Sequence, residues 1–224
     1  MRFERIVSLG ALCQVTHQIN RCFPGQPKSL FDRLVTPFSA VRSIFETQGK
    51  HLCSDVAVDK FEIICQNYGV SYHHEFPRDA NVIPYITQEA LETGKSKLAH
   101  KFNKMVSMLS EPTPTLFVRF LGHHGEARAW PYMNDPEVMK ISEINDLCTY
   151  LASRFPALPF EMAFVYLPQF TQLEADAAAD PRVHLIPLDR TANTWAGNDS
   201  DWDEIFARFD LAIPPVLAQV AEAA

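Results

Sequence analysis

The chain has 224 residues, 47% of them apolar and 21% charged, ordinary globular usage that excludes a disordered tail, a collagenous rod and a low-complexity array. Lys and Arg number 20 against 27 Asp and Glu, a formal charge of −7, and the acidic excess lies in the second half: residues 1–112 carry 13 basic and 11 acidic side chains, residues 113–224 carry 7 and 16. An acidic C-terminal half repels phosphate backbones, and no apolar stretch approaches the roughly 20 residues of a membrane span, so neither nucleic acid nor a bilayer is an expected partner.

Arg5-Ile6-Val7-Ser8-Leu9 is a short apolar run closed by Gly10, the pattern of a buried strand entering a turn. Leu12, Val15, Ile19 and Phe23 recur at steps of three and four, predicting a helix from Leu12 or Cys13 that Pro24, Gly25 and Pro27 stop. Thr36-Pro37 predicts a second helix, with a capping hydroxyl, proline at the first helical position, and Val41, Ile44 and Phe45 facing inward. Phe61-Glu62-Ile63-Ile64 and Val70-Ser71-Tyr72 flank Asn67-Tyr68-Gly69 as a hairpin would. A long helix then buries Leu98, Phe102, Met105, Val106 and Leu109 and ends at Pro112 and Pro114. Its basic run, Lys95, Lys97, Lys101 and Lys104, is expected to be a solvated face. Beyond it, Thr115–Phe120 is a strand, Ile141 to Phe155 a helix, and Met162–Leu167 and Val183–Pro187 two more strands. Asp201-x-x-Glu204 has the spacing of a capping box and predicts the start of a last helix carrying Trp202, Ile205, Phe206 and Phe209. Strands alternating with helices predict a single α/β domain over 1–224. Its architecture is expected to be a mostly parallel central sheet with helices on both faces, a Rossmann-like three-layer sandwich, with a small edge β-hairpin insertion at about 53–84.

The five cysteines, Cys13, Cys22, Cys53, Cys65 and Cys148, are odd in number, irregularly spaced and free of any C-x-x-C pair. That usage fits reduced thiols in a cytoplasm. The amino terminus, in which Glu4 interrupts the charged region, reads as a first strand and not as a secretion signal. In open parallel sheets ligands bind beyond the carboxyl ends of the strands. The first such loop, Gly10-Ala11-Leu12, delivers Cys13 to a helix start, where unpaired N–H groups and the helix dipole favour thiolate. There the N–H groups of Cys13 and Gln14 would hold an oxyanion. The bland alternative is one more small buried hydrophobe, the reading that also suits Cys22, Cys65 and Cys148. A thiol nucleophile needs a base. His73 and His74 are adjacent and, on a strand, point to opposite faces, so at most one serves a given site. His123 and His124, followed by Glu126, form a second pair at a carboxyl-end loop. Asp32 is either an orienting acid or a turn cap. No H-x-H, H-x-x-x-H or H-E-x-x-H spacing and no glycine-rich phosphate loop occurs, so no metal and no cofactor are expected. Trp202 falls in register with core residues, whereas Trp195 is free to line a cleft and stack on a sugar or peptide.

Ser8-Leu9-Gly10-x-x-Cys13-Gln14, Phe31-Asp32, His74-Glu75-Phe76, Leu116-Phe117-Val118-Arg119, and Trp195-x-Gly197 with Trp202 occur in this order. The set resembles a bacterial family of uncharacterised proteins labelled papain-like cysteine peptidases. The likeness covers nearly the whole chain as scattered short blocks, of which Ser-Leu-Gly-x-x-Cys is the most distinctive. The resemblance implies a nucleophile at Cys13, a base at His74 and an orienting or structural acid at Asp32. Gly10, Gln14, Arg119, His124 and Trp195 are the expected contacts to a peptide or other small acyl substrate. The chain departs from the family at Arg33, where Phe-Asp-Trp is usual, and at Glu75, where His-Asp-Phe is usual. It also lacks the Cys-Gly-x-Cys-Trp neighbourhood of papain enzymes. The competing expectation is a non-catalytic α/β module that binds a glycan or nucleotide-sugar through Trp195, Arg119 and the His123–His124 loop. A serine esterase built on Ser8 lacks both the Gly-Asp-Ser start and the closing Asp-x-x-His.

Overall fold

The computed structural model describes residues 1–59, 61–80, 83–121, 138–188 and 195–212. β1 (Arg2–Phe3) and β2 (Arg5–Ser8) lead into α1 (Cys13–Cys22), followed by a 3-10 turn (Leu30–Arg33) and α2 (Phe38–Glu46). β3 (Val56–Asp59), β4 (Glu62–Cys65) and β5 (Val70–Ser71) precede the short β6 (Arg78–Asp79) and β7 (Ile83–Pro84), then the long α3 (Gln88–Leu109). The remainder runs β8 (Thr115–Leu121), β9 (Val138–Lys140), α4 (Ile141–Arg154), β10 (Phe160–Tyr166), β11 (Gln172–Glu174), β12 (Val183–Pro187), α5 (Asp199–Phe206) and β13 (Asp210–Leu211).

The continuous apolar runs become a four-stranded sheet of order β12-β10-β8-β2, parallel throughout, with Ser8 opposite Val118 and Arg119 opposite Phe164. Strands buried on both faces have no need of polar alternation, and β8 is buried at all seven positions. Helices cover both faces, as the sequence predicts. Val7, Leu9, Phe117, Leu121 and Phe164 face a core shared with α2, α3 and α4. Ile6, Leu116, Val118, Phe120 and Val165 face a second core shared with α1 and α5.

The predicted hairpin is the β4–β5 pair, joined through Gly69 at φ 65 and extended by β3 into a three-stranded antiparallel sheet. Ile63, Cys65, Val70 and Tyr72 join the same core as α2, α3 and α4.

Three local expectations need correction. α2 begins at Phe38 with Pro37 as its N-cap, and the buried Thr36 hydroxyl caps nothing. α5 begins at Asp199 after Asn198, so Asp201 is a buried residue of its first turn and does not mark the start. The lysine run is not simply solvated: Lys97 and Lys101 both pair with Glu75, whose side chain is sealed from solvent. Among the described residues no helix is long and apolar enough to cross a membrane.

Candidate active site

β2 ends at Ser8, whose Oγ accepts a hydrogen bond from Gly10 N at 3.0 Å, and the chain then turns through two left-handed residues, Gly10 at φ 80 and Ala11 at φ 79. Glycine is required at the first: an added Cβ would lie 3.2 Å from Phe31 Cβ. Ala11 carries the steric cost of this region, about 1 kcal/mol for a residue with a Cβ. It is fully buried, and its carbonyl accepts Thr36 N at 3.1 Å. The turn delivers Cys13 as the first residue of α1.

All five cysteines are free thiols, and Cys13 is the one that is not buried. Burial nevertheless pushes its thiol pKa above the ordinary value, against the lowering influence of Arg33 and of its own backbone N–H; the charges of Asp32 and Glu62 push further up. The expectation of a thiol primed by the helix start is therefore corrected. The ground state is the protonated thiol, because partial desolvation outweighs the single nearby cation.

Asp32 is a cap. Its Oδ2 accepts Ser29 N and its Oδ1 accepts Thr16 Oγ, both at 3.0 Å, tying the 3-10 turn to α1. Burial raises its pKa despite those two hydrogen bonds. The next residue, Arg33, is exposed, and its charge is felt at both Cys13 and His74.

The strand that leads into the histidine pair is linked to this turn through backbone pairing. Thr36 is bonded to Ala11, and Val35 pairs with Ser71 through hydrogen bonds of 3.1 and 2.9 Å. The hairpin is thus stitched to the Gly10–Ala11 turn by the Val35–Thr36 segment. His74 is exposed, with its ring edge-on to His73 at 4.5 Å. Burial of part of the ring lowers its pKa, as do the charges of His73, Arg33 and Arg78, with only Glu62 opposing. No hydrogen bond joins Cys13 Sγ to His74.

The sequence reading overlooked Glu62. Its side chain is 5% exposed and it accepts hydrogen bonds from Ser71 Oγ and His73 Nδ1, both at 2.5 Å, with Arg78 Nη2 at 3.4 and 3.3 Å from its two oxygens. Burial alone would raise its pKa, but the His73 and Ser71 hydrogen bonds and the nearby positive charges prevail and hold it below the usual carboxylate value. A signal was present. With Ile64 opposite Ser71 and Cys65 opposite Val70, the same register carried outward sets Glu62 across from His73.

The remaining expected contacts are scattered. Gln14 is 4% exposed and packs its amide against Gly197 at φ 76, where an added Cβ would come within 2.0 Å of Gln14 Nε2. Among the described residues, Gln14 Oε1 and Trp202 Nε1 have no hydrogen-bond partner. The Gln14 side chain is therefore an internal packing group. Trp195 is 57% exposed and meets the His17 ring edge-on at 5.0 Å. Arg119 is fully buried, donates from Nη1 to Leu9 O at 3.0 Å and lies over the Phe38 ring. It braces the turn from the α2 side of the sheet, opposite to α1. His124, with His123 and Glu126, lies outside the described residues. No family model, no curated protein and no solved structure matches the chain.

Proposed function

We propose that the protein is a thiol-dependent hydrolase or acyl transferase with Cys13 as nucleophile, acting on a peptide or another small acyl substrate, in keeping with the papain-like peptidases its motifs resemble. The observation that carries this reading is the contrast among the cysteines. Four are buried, whereas Cys13 is accessible at the first residue of α1, beyond the carboxyl end of β2, and the strand that leads into His73 and His74 is tied to the same turn through Val35 and Thr36.

Sγ attacks the carbonyl carbon, and its proton passes to an imidazole of the His73–His74 pair as the S–C bond forms. The carbonyl electron pair moves to oxygen, where N–H groups of the first turn of α1, which have no intrahelical acceptor, receive it. The imidazolium returns the proton to the leaving group as its bond to carbon breaks, and water or another acceptor then releases the thioester. A protonated resting thiol makes the base essential. Five free thiols support a reducing, cytoplasmic setting.

p-Nitrophenyl acetate tests the reading. Acetylation confined to the Cys13 peptide, with turnover lost in Cys13→Ser, is expected; turnover unchanged in Cys13→Ser would overturn it. The exposed Trp195 favours one rival, a glycan-binding module. In that case Cys13→Ser leaves glycan-array binding intact while Trp195→Ala abolishes it.

A further inference from the structure

We propose that Arg33 makes the Cys13 site selective for a peptide or other acyl substrate that carries a carboxylate beside its reacting carbonyl. The inference rests on the thiol-acyl reading above and names the substrate class of that site.

Two hydrogen bonds set the segment 32–36 alongside the stretch 11–16, in opposite chain order. At one end Thr16 Oγ1 donates to Asp32 Oδ1 at 3.0 Å, and at the other Thr36 N donates to Ala11 O at 3.1 Å. Cys13 lies within the one stretch and Arg33 within the other. Leu34 turns inward and is fully buried, whereas Arg33 beside it is exposed. Of the charges felt at the Cys13 sulfur, that of Arg33 is the largest, and it reaches His74 as well.

A guanidinium is always charged and presents its N–H donors in a fork that matches a carboxylate. Elsewhere in the chain that fork is occupied: Arg5, Arg21, Arg42, Arg78 and Arg182 each meet a carboxylate oxygen at 2.6 to 3.3 Å. Arg33 makes no such pair among the described residues. The two carboxylates whose charge reaches the sulfur are already engaged. Asp32 accepts Ser29 N and Thr16 Oγ1, and the buried Glu62 accepts Ser71 Oγ, His73 Nδ1 and Arg78 Nη2. The chain as a whole carries a formal charge of −7, a field that on its own repels anions. A guanidinium left without a carboxylate beside the accessible thiol reverses that preference locally. The substrate carboxylate pairs with Arg33 while the reacting carbonyl lies over Sγ.

Alkylation of Cys13 by iodoacetate and by iodoacetamide, each followed at the Cys13 peptide, tests the assignment without requiring turnover. The reagents differ by a carboxylate and react with the same thiolate, so the ratio of their rates removes any change in thiol pKa. Arg33→Ala should lower the iodoacetate-to-iodoacetamide ratio by about fivefold, the upper range for an exposed ion pair. Arg33→Glu should lower it further, Arg33→Lys should retain part of it, and high salt should shrink the gap between parent and Arg33→Ala. Arg2→Ala removes the same charge ahead of the amino end of β2, on the rim opposite to Cys13, and should keep the parent ratio. A ratio unchanged in Arg33→Ala, or lowered as much in Arg2→Ala, overturns the assignment and leaves the Cys13 reading standing. The carboxylate is either an acidic side chain or a chain terminus. At constant ionic strength an excess of N-acetylglutamic acid α-amide, which offers the first, or of N-acetylalanine, which offers the second, should slow iodoacetate labelling of the parent and not of Arg33→Glu. The stronger competitor identifies the source, and no slowing by either overturns the assignment. If Cys13→Ser turns over p-nitrophenyl acetate like the parent, the acyl reading falls and the substrate class with it.

Discussion

Cys13 sits between opposing influences, of which burial is the larger. Desolvation at its half-buried position disfavours the thiolate, and the exposed guanidinium of Arg33 favours it. Arg33 makes no ion pair among the described residues, since neighbouring Asp32 is committed to Ser29 and Thr16. Its effect on the thiol is therefore purely through space. One water-screened charge at such a range is worth on the order of 0.5 kcal/mol, roughly a twofold change in thiolate fraction. Arg33→Ala should raise the thiol pKa and slow iodoacetamide labelling of Cys13 at pH 8 by about twofold, an effect that 1 M salt erases in the parent. Labelling that quickens in Arg33→Ala would show that the cation is not stabilising the thiolate. At this scale the sequence carries the position of Cys13 at the start of α1, because the strand–glycine–helix pattern around Gly10 and Cys13 is local. The partial burial that reverses its expected electrostatic priming comes from residues distant in sequence and has no local signature.

The hairpin is secured by two buried carboxylates. Glu62 and Glu75 both titrate below the ordinary carboxylate value, since hydrogen bonds from His73 and Ser71 in one case, and from Lys101 and Lys97 in the other, outweigh burial. A depressed folded pKa contributes stability above the unfolded value, about 4.3 for Glu. That contribution is lost as the pH falls through the folded pKa. The thermal midpoint of Glu75→Gln should therefore lie below the parent's at pH 7, with the gap closing between pH 5 and 3; a gap that stays constant in scanning calorimetry refutes the linkage. Gly197 is the corresponding device for α1 and α5. Gly197→Ala should cost about 1–3 kcal/mol by overpacking Gln14. Combining it with Gln14→Ala should cost less than the sum of the single changes, because the clash with Gln14 disappears and only the approach to Trp202 Nε1 at 2.9 Å and the backbone strain remain. Additive costs in urea titrations would mean that the two side chains do not meet. Element identity was legible wherever one rule dominated: α4 carries its apolar residues at helical spacing and stops before Pro156, and β10 is an apolar run between Pro159 and Pro168. Helix starts were less so. Thr36 and Asp201 have the right residue types at the right spacing, yet the first is buried against the Gly10 turn and the second is buried within α5. In both places packing overrides the capping pattern. The Glu62–His73 pair was readable only through hairpin register, since eleven residues separate it in sequence.

Across the whole molecule, the strands advance in a single direction, β2-β8-β10-β12, with their carboxyl ends on one rim. The hairpin joins this rim through the Val35–Thr36 segment while its apolar side belongs to the core of α2, α3 and α4. If the thiol and the imidazoles are to form one site, the hairpin must not open apart from the sheet. The buried cysteines report on this. Cys53, Cys65 and Cys148 lie in the core shared by the hairpin, and Cys22 lies in the opposite core under α1 and α5. Burial pushes Cys22 and Cys148 up to about 12 and Cys53 to about 11, so at neutral pH they react only when their surroundings open. Both cores pack on the same four strands, and a shared sheet couples them into one cooperative transition. Labelling of Cys22, Cys53, Cys65 and Cys148 by iodoacetamide during a slow thermal ramp, followed peptide by peptide, should therefore rise at a common midpoint. Cys53 and Cys65 becoming reactive well before Cys22 would mean that the hairpin melts as a unit of its own. The histidines would then be carried by an element that can leave while Cys13 stays in place.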